Sequence, residues 1–363
     1  MNQSINLRPN QIKALQVSLD NDFESGVHFH ATGTGKSWIA MNIINNFNEK
    51  YPKANILWIC EKKSILIEQF NKNNIKERNF LSIMKKFNVL NFSEYKLDNW
   101  YNSVNSSKFW DKPLLLIINR AYLVSNDKYK KIKLPINLII HDECHTIVNE
   151  TTKQFYEYFL NSCIIPKCIG FSATPELSYK PYDKVLSQYS IYDSYMDDVI
   201  VPPKIKWFTC DQTIEQNEII CLTKQLIEKP HIIYKKIIVW CGMIELCSEL
   251  ANKWKTYFSD YLICIDTSEK NNIQKNVIGN YDDFREAESK AILFCACKHR
   301  EGSDIKNLDC SIFLDKVENR SPKVFVQCIG RVLRRSTGST NRLKKFGLII
   351  DIKAKEKIEA IHL

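Results

Sequence analysis

The sequence predicts an α/β protein of two tandem lobes, each a mostly parallel sheet flanked by helices. A glycine-rich stretch, Ala31-Thr32-Gly33-Thr34-Gly35-Lys36-Ser37, sits between the apolar-rich Val27-His28-Phe29 and a helix-like run from Trp38 to Ile44. An apolar strand, Leu138-Ile139-Ile140-His141, runs directly into Asp142-Glu143-Cys144-His145. Past the paired prolines Pro202 and Pro203, a second set of apolar strands alternates with helical patterns. Unbroken apolar runs mark strands covered on both faces of a parallel sheet, and their alternation with helices is the pattern of βαβ crossovers. A chain of 363 residues, 44% of them hydrophobic, is long enough to bury two such cores.

Composition narrows the partners. The formal net charge is +10 and the pI about 8.8, a balance that suits a polyanion. The thirteen cysteines fall mostly inside apolar runs, as at Cys60, Cys241, Cys264 and Cys295, with no C-x-x-C pair, so they read as reduced core thiols rather than zinc or redox ligands. The first residues, Met1 to Arg8, hold no apolar signal region, and no apolar run approaches the roughly 20 residues that span a bilayer. The expectation is an intracellular, soluble protein with no membrane contact.

Taken in order, Leu7-Arg8-Pro9-Asn10-Gln11 opens a helical pattern at Ile12, Leu15, Val17 and Leu19. The glycine-rich loop that follows, between strand and helix, aims backbone N–H groups at a phosphate; Lys36 neutralises β/γ oxygens and the Ser37 hydroxyl holds Mg²⁺. His30 stands where the loop pattern has its first glycine. Ala54 to Cys60 is a buried strand, followed by a loop and helix over Glu61 to Phe70. The segment Asn71 to Lys112 is polar and Asn-rich and reads as an insertion, whose aromatics, Trp100, Tyr101, Phe109 and Trp110, either form a nucleic-acid platform or, the favoured reading, anchor it to its own lobe. Leu114 to Ile118 is the next strand and ends at Asn119-Arg120. After the strand at 138–141, Asp142 holds the metal and Glu143 orients and deprotonates the attacking water of a nucleoside triphosphatase. Cys168-Ile169-Gly170-Phe171 then leads into Ser172-Ala173-Thr174-Pro175.

Periodicity breaks between Met196 and Pro203, which sets a first lobe at 1–200 and a second at 201–363. The second lobe opens with the strand Lys236 to Cys241 and a helix from Ile244 to Trp254. Tyr261 to Ile265 then precedes Asp266-Thr267-Ser268, and Ala291 to Cys295 precedes His299-Arg300-Glu301-Gly302-Ser303-Asp304. A helix opened by Val324 carries Gln327, Gly330, Arg331 and Arg334, with the two arginines three apart on one face. Phe346 to Asp351 is the closing strand.

With the glycine loop, Asp-Glu-Cys-His, Ser-Ala-Thr and Gln-x-x-Gly-Arg-x-x-Arg in this order, nearly the whole chain resembles the superfamily 2 helicases, in their DExH branch. The Arg-Glu-Gly-x-Asp form is closer to the excision-repair, restriction-motor and large-DNA-virus members than to the DEAD-box RNA helicases. The resemblance implies two RecA-like lobes, ATP and Mg²⁺, and a nucleic-acid partner, DNA favoured over RNA. It implies that Gln11 reads adenine, that Thr32, Gly33, Thr34, Gly35, Lys36 and Ser37 hold the phosphates, with Gly302 and Asp304 of the second lobe beside them, and that Ser37 and Asp142 hold the metal. Lys62, Lys63, Ser64, Arg120 and Thr267 are its nucleic-acid backbone contacts. Arg331 and Arg334 are its arginine fingers, Gln327 and His145 lie near the γ-phosphate, and Ser172 and Thr174 relay nucleotide state to the strand-binding face. The expected activity is an ATP-dependent helicase or translocase, with an RNA helicase or an ATP-gated clamp that does not unwind as alternatives. Only Ile352 to Leu363 follow the closing strand, so we expect a motor core that unwinds long duplexes poorly alone and gains processivity from a partner protein.

Overall fold

A computed structural model describes residues 7–61, 67, 70, 75, 80–92, 111–210, 216–229, 232–267, 278–296, 299, 305–317, 320–335 and 344–354. The chain divides into two compact units, Met1–Ser194 and Tyr195–Leu363.

The first unit is built on β1 Gly26–His30, β2 Ile56–Cys60, β3 Asn88–Asn91, β4 Leu114–Asn119, β5 Leu138–Asp142, β6 Lys167–Ser172 and β7 Val185–Tyr189. They form one sheet in the order β3-β4-β2-β5-β6-β1-β7, parallel throughout. Alternate residues of each central strand feed opposite cores. Ile56, Trp58, Leu138 and Ile140 pack with Ile39, Ile43 and Ile44 of helix α2 (Lys36–Lys50), whereas Leu57, Ile59 and Ile139 pack with Phe155, Tyr156 and Phe159 of a helix on the other face, Glu150–Leu160. Both faces are dry, which is why these strands read as continuous apolar runs.

Two expectations change here. Helix α1 (Pro9–Asp20) buries Asn10, Gln11, Ala14 and Ser18, while Ile12 is 52% exposed, because the face packed on α2 and β7 needs small or hydrogen-bonding side chains, as where Ser18 meets His28 of β1. The segment from Asn71 to Lys112 is not wholly an insertion: it supplies β3, the edge strand beside β4, and buries Phe80, Ile83, Phe87 and Phe92. Trp100, Tyr101, Phe109 and Trp110 lie outside the described residues.

The second unit holds β8 Pro203–Cys210, the two-residue pair β9 Glu228–Lys229 and β10 Ile232–Ile233, β11 Lys236–Trp240, β12 Leu262–Ile265, β13 Ala291–Cys295, β14 Cys310–Lys316 and β15 Gly347–Ala354. Its main sheet runs β12-β13-β11-β14-β15-β8, again parallel throughout. Trp254 and Leu250, from the helix Ile244–Tyr257, join Ile237, Val239, Ile292 and Phe294 in its core. The chain enters this unit by pairing Ile200 with Arg334 and by a bond from Val201 N to Leu333 O.

Candidate functional site

The crossovers of a parallel sheet put every strand's carboxyl end on one edge, where such folds bind ligands. In the first unit that edge gathers His30, Glu61, Arg120, Asp142 and Ser172. The loop after β1 turns through Gly33 and Gly35, both at φ 88°, a left-handed backbone that glycine adopts without strain. Gly35 caps α2, so Lys36 and Ser37 form its first turn. Thr34 Oγ1 donates to Ala31 O at 2.7 Å and Lys36 Nζ donates to His30 O at 3.3 Å, which folds the buried lysine back over its own loop. Gln11 braces the same loop: its Nε2 donates to Thr34 O at 3.3 Å and its Oε1 accepts from Arg8 N at 2.9 Å. A Cβ at position 35 would collide with that amide, so the glycine there also makes room for Gln11.

Behind the loop, buried polar groups tie α1, β1 and β7 together. His28 lies 2.9 Å from Ser18 Oγ and 2.7 Å from Ser187 Oγ, and His30 Nε2 shares Ser187 Oγ at 2.7 Å. Burial pushes the His28 imidazole down to about 3; burial and then the Lys36 charge push His30 down to about 4. Both rings are neutral at physiological pH.

Asp142 ends β5, and Glu143 follows in a left-handed conformation, φ 62° and ψ 49°, before a 3₁₀ turn over Cys144–Val148. The turn sits directly on β6 because position 170 is glycine; a Cβ there would lie 2.6 Å from Cys144 Sγ and 2.8 Å from Tyr182 Cε1. His145 Nδ1 lies 3.0 Å from Ser172 Oγ and 3.4 Å from Glu143 Oε2, and Thr174 N donates to Ser172 Oγ at 3.0 Å. The structure thus places His145 between Glu143 and Ser172, with Thr174 bonded to Ser172.

Other expected residues are placed differently. The Arg120 guanidinium turns inward, Nε and Nη2 each 2.6 Å from the two carboxylate oxygens of Glu61 and Nη1 3.0 Å from Thr152 Oγ1. This part-buried bidentate pair engages the fork with protein and forms a strut between the ends of β2 and β4. In the second unit, the helix Pro322–Val332 carries buried Gln327 and Arg331 but ends at Val332, with Leu333 as its cap. Arg334 lies past that end and pairs with Ile200, so the two arginines do not share a helix face. Thr267 follows β12 beside Asp266, whose Oδ2 lies 2.8 Å from His299 Nε2. Lys62, Lys63, Ser64, Gly302 and Asp304 lie outside the described residues.

Sequence reasoning passed over Glu61, Thr152, Tyr156 and Tyr182, and in the second unit the cluster of Arg320 with Asp315 and Asp351, at 2.6 to 3.0 Å. A signal existed for two of them, since Glu61 and Asp315 are charges at the carboxyl end of apolar runs. Among the described residues no helix is long and apolar enough to cross a membrane, and no group of three or more His, Cys, Asp or Glu is placed to hold a metal ion by itself.

Residues 4–177 match the family model of the type III restriction enzyme res subunit, and residues 219–336 match that of the helicase conserved C-terminal domain. The chain belongs to superfamily 2 of the helicases. Its two parallel-sheet units are tandem RecA-like lobes. The helicase is similar in fold to the ATP-dependent type ISP restriction-modification enzyme LlaBIII bound to DNA, at TM-score 0.70 and 17% identity over 98% of this chain and 28% of that one. It is similar to a fragment assigned to an HsdR subunit of a type I restriction enzyme from Vibrio vulnificus, at 0.64 and 20% over 94% and 62%. It is also similar to Dbp5 of S. cerevisiae bound to RNA and ADP BeF3, at 0.62 and 15% over 96% and 84%. The helicase therefore spans less than two thirds of both restriction chains. No curated protein matches the sequence. Helicases of this kind are ATP-dependent, nucleic-acid-binding enzymes.

Proposed function

We propose that this helicase hydrolyses ATP at the edge formed by residues 31–37 and 142–143, and couples each cycle to movement along nucleic acid, DNA in preference to RNA. What carries the reading is the geometry of that edge, where a lysine and a serine open a helix after two left-handed glycines and an Asp-Glu pair ends a strand of the same sheet. The donor set suits a metal-bound triphosphate. Lys36 and the helix N-terminus are cationic, and Ser37 and Asp142 offer the hard oxygen ligands that Mg²⁺ prefers while leaving positions for phosphate and water. Bound there, Mg²⁺ supplies neutralisation of phosphate charge.

The protein's own groups do the rest. Lys36 leaves the His30 carbonyl for phosphate oxygens. Glu143, pre-set by its backbone, takes the proton of the attacking water as it reaches the γ-phosphorus. His145 fixes that carboxylate against Ser172. Arg331 and Arg334, with Gln327, are assigned to the charge that develops on the transferred group. Gln11 serves the nucleotide side, through the loop that it braces.

The net charge of +10 suits nucleic acid of either kind, and the preference for DNA is supported by the Glu301-Gly302-Ser303-Asp304 sequence and the match to a restriction-enzyme family model. The similar fold of Dbp5, solved with RNA, keeps RNA as the rival. The test is the ATPase rate with single-stranded DNA, duplex DNA and RNA at matched phosphate concentration, joined to a triplex-displacement assay. We expect DNA to stimulate most and ATP to drive displacement. Stimulation by RNA alone would reverse the substrate, and stimulated hydrolysis without displacement would leave a clamp.

A further inference from the structure

Beneath Asp142 and Glu143 lies a row of buried polar side chains to which the reaction above gives no task. His141, fully buried, has Nδ1 2.8 Å from Tyr156 Oη and Nε2 3.4 Å from Thr146 Oγ1. Tyr156 Oη lies 2.6 Å from Tyr182 Oη, and the Thr146 hydroxyl donates to the Glu143 carbonyl at 3.3 Å. Tyr156 and Tyr182 are as buried as the histidine.

Proton counting gives the row a direction. A hydroxyl has one proton to donate. Thr146 spends its proton on the Glu143 carbonyl, so it accepts from His141, whose Nε2 must carry hydrogen. An imidazole sealed from water, with hydroxyls as its hydrogen-bond partners, is neutral. Its Nδ1 is therefore a bare acceptor that Tyr156 fills, and Tyr182 donates to Tyr156 in turn. Four hydrogen bonds run one way, from Tyr182 through Tyr156, His141 and Thr146, onto the backbone of Glu143. Links aligned in this way polarise one another. The two at the tyrosine end are short and the two at the threonine end are long, so the threonine end is where the row yields first.

Glu143, which receives the last bond, is the residue that most needs holding. At φ 62° a side chain with a Cβ is strained, and such a conformation persists only where its surroundings impose it. The turn it begins determines where the carboxylate points. We propose that Thr146, Tyr156 and Tyr182 are positioning residues for ATP hydrolysis, Thr146 acting directly and the two tyrosines through His141 and Thr146, to hold Glu143 in its left-handed conformation without touching nucleotide. The inference rests on the reading of Glu143 as the general base.

The test uses the full chain with ATP, Mg²⁺ and saturating polynucleotide. Thr146→Val keeps the shape and removes the donor, whereas Thr146→Ser keeps the donor; Tyr156→Phe cuts the row at its centre. Thr146→Val and Tyr156→Phe should each lower kcat by about tenfold to 10²-fold, the scale of a slightly misplaced catalytic group, with KM for ATP little changed. Thr146→Ser should retain kcat. In a Glu143→Gln background, Thr146→Val should add no further loss, because both changes act through one carboxylate. Equal losses in the valine and serine variants, or an undiminished kcat in a folded Thr146→Val protein, would overturn the relay while leaving the general base intact. Near wild-type turnover by Glu143→Gln alone would remove the general base and the relay with it.

Discussion

His28 and His30 show how much chemistry two side chains can put behind a glycine loop. Their folded-state values of about 3 and about 4 lie below the ordinary 6.5, so the folded protein refuses protons that the unfolded chain accepts. Above pH 6.5 neither state binds them and the full stability is present; as pH falls below 6.5 stability is lost, down towards the folded values. Each histidine costs up to about 1.4 kcal/mol per pH unit in that window. The unfolding free energy of the first unit should therefore drop between pH 7 and pH 5.5, by roughly 2 to 3 kcal/mol from the pair, with buried His141, pushed down to about 3 chiefly by desolvation, adding to the same loss; a pH-independent unfolding free energy would contradict the neutral, buried imidazoles. Candidate residues were legible where chemistry restricts the choice, and the structure brings Lys36, Ser37, Asp142 and Glu143 to one edge of the first sheet. Partners were not. Gln11 and Arg120 have side chains suited to base or phosphate, and their engagement with Thr34 and Glu61 follows from which strand ends lie side by side. Sheet order decides that, and no spacing within the sequence records it.

The elements read from apolar periodicity were those covered on both faces, such as β2, β4, β5, β11 and β13, because burial on two sides leaves no polar position to blur the run. The strand Asn88–Asn91 escaped, since it ends the row of described strands and its sequence is half asparagine, which blurs the apolar run. The end of the helix at Val332 escaped as well, because the pairing of Arg334 with Ile200 that stops it comes from a residue far away in sequence. The entry to that helix rests on Arg320, whose guanidinium bridges Asp315 and Asp351, all three side chains nearly sealed from solvent. Removing one cation from two buried carboxylates is among the costlier single changes. Arg320→Ala should destabilise the second unit by about 3 to 5 kcal/mol. Segment-resolved hydrogen exchange should show β14 and β15 losing protection while the first unit keeps its own; unchanged exchange there would mean that the cluster is not holding the helix.

Across the molecule, two parallel-sheet units repeat one plan, in which polar and charged residues collect at the carboxyl edge of a dry sheet. Fold class and family were visible at this scale because four motifs occur in a fixed order over most of the chain, whereas the arrangement of side chains beneath them was not. A net charge of +10 makes phosphate contacts the natural source of affinity. The binding constant for a single-stranded polynucleotide should fall linearly on a log–log plot against salt, with little dependence on base sequence; a salt-insensitive complex would contradict tracking along the backbone. The central claim, that Glu143 makes this protein an ATP-hydrolysing motor, is tested most directly by comparing ATP binding and turnover in wild type and Glu143→Gln with polynucleotide present. ATP affinity should be retained and turnover should fall by about 10² to 10⁴-fold, the scale of a lost general base. Turnover close to wild type in Glu143→Gln would contradict it.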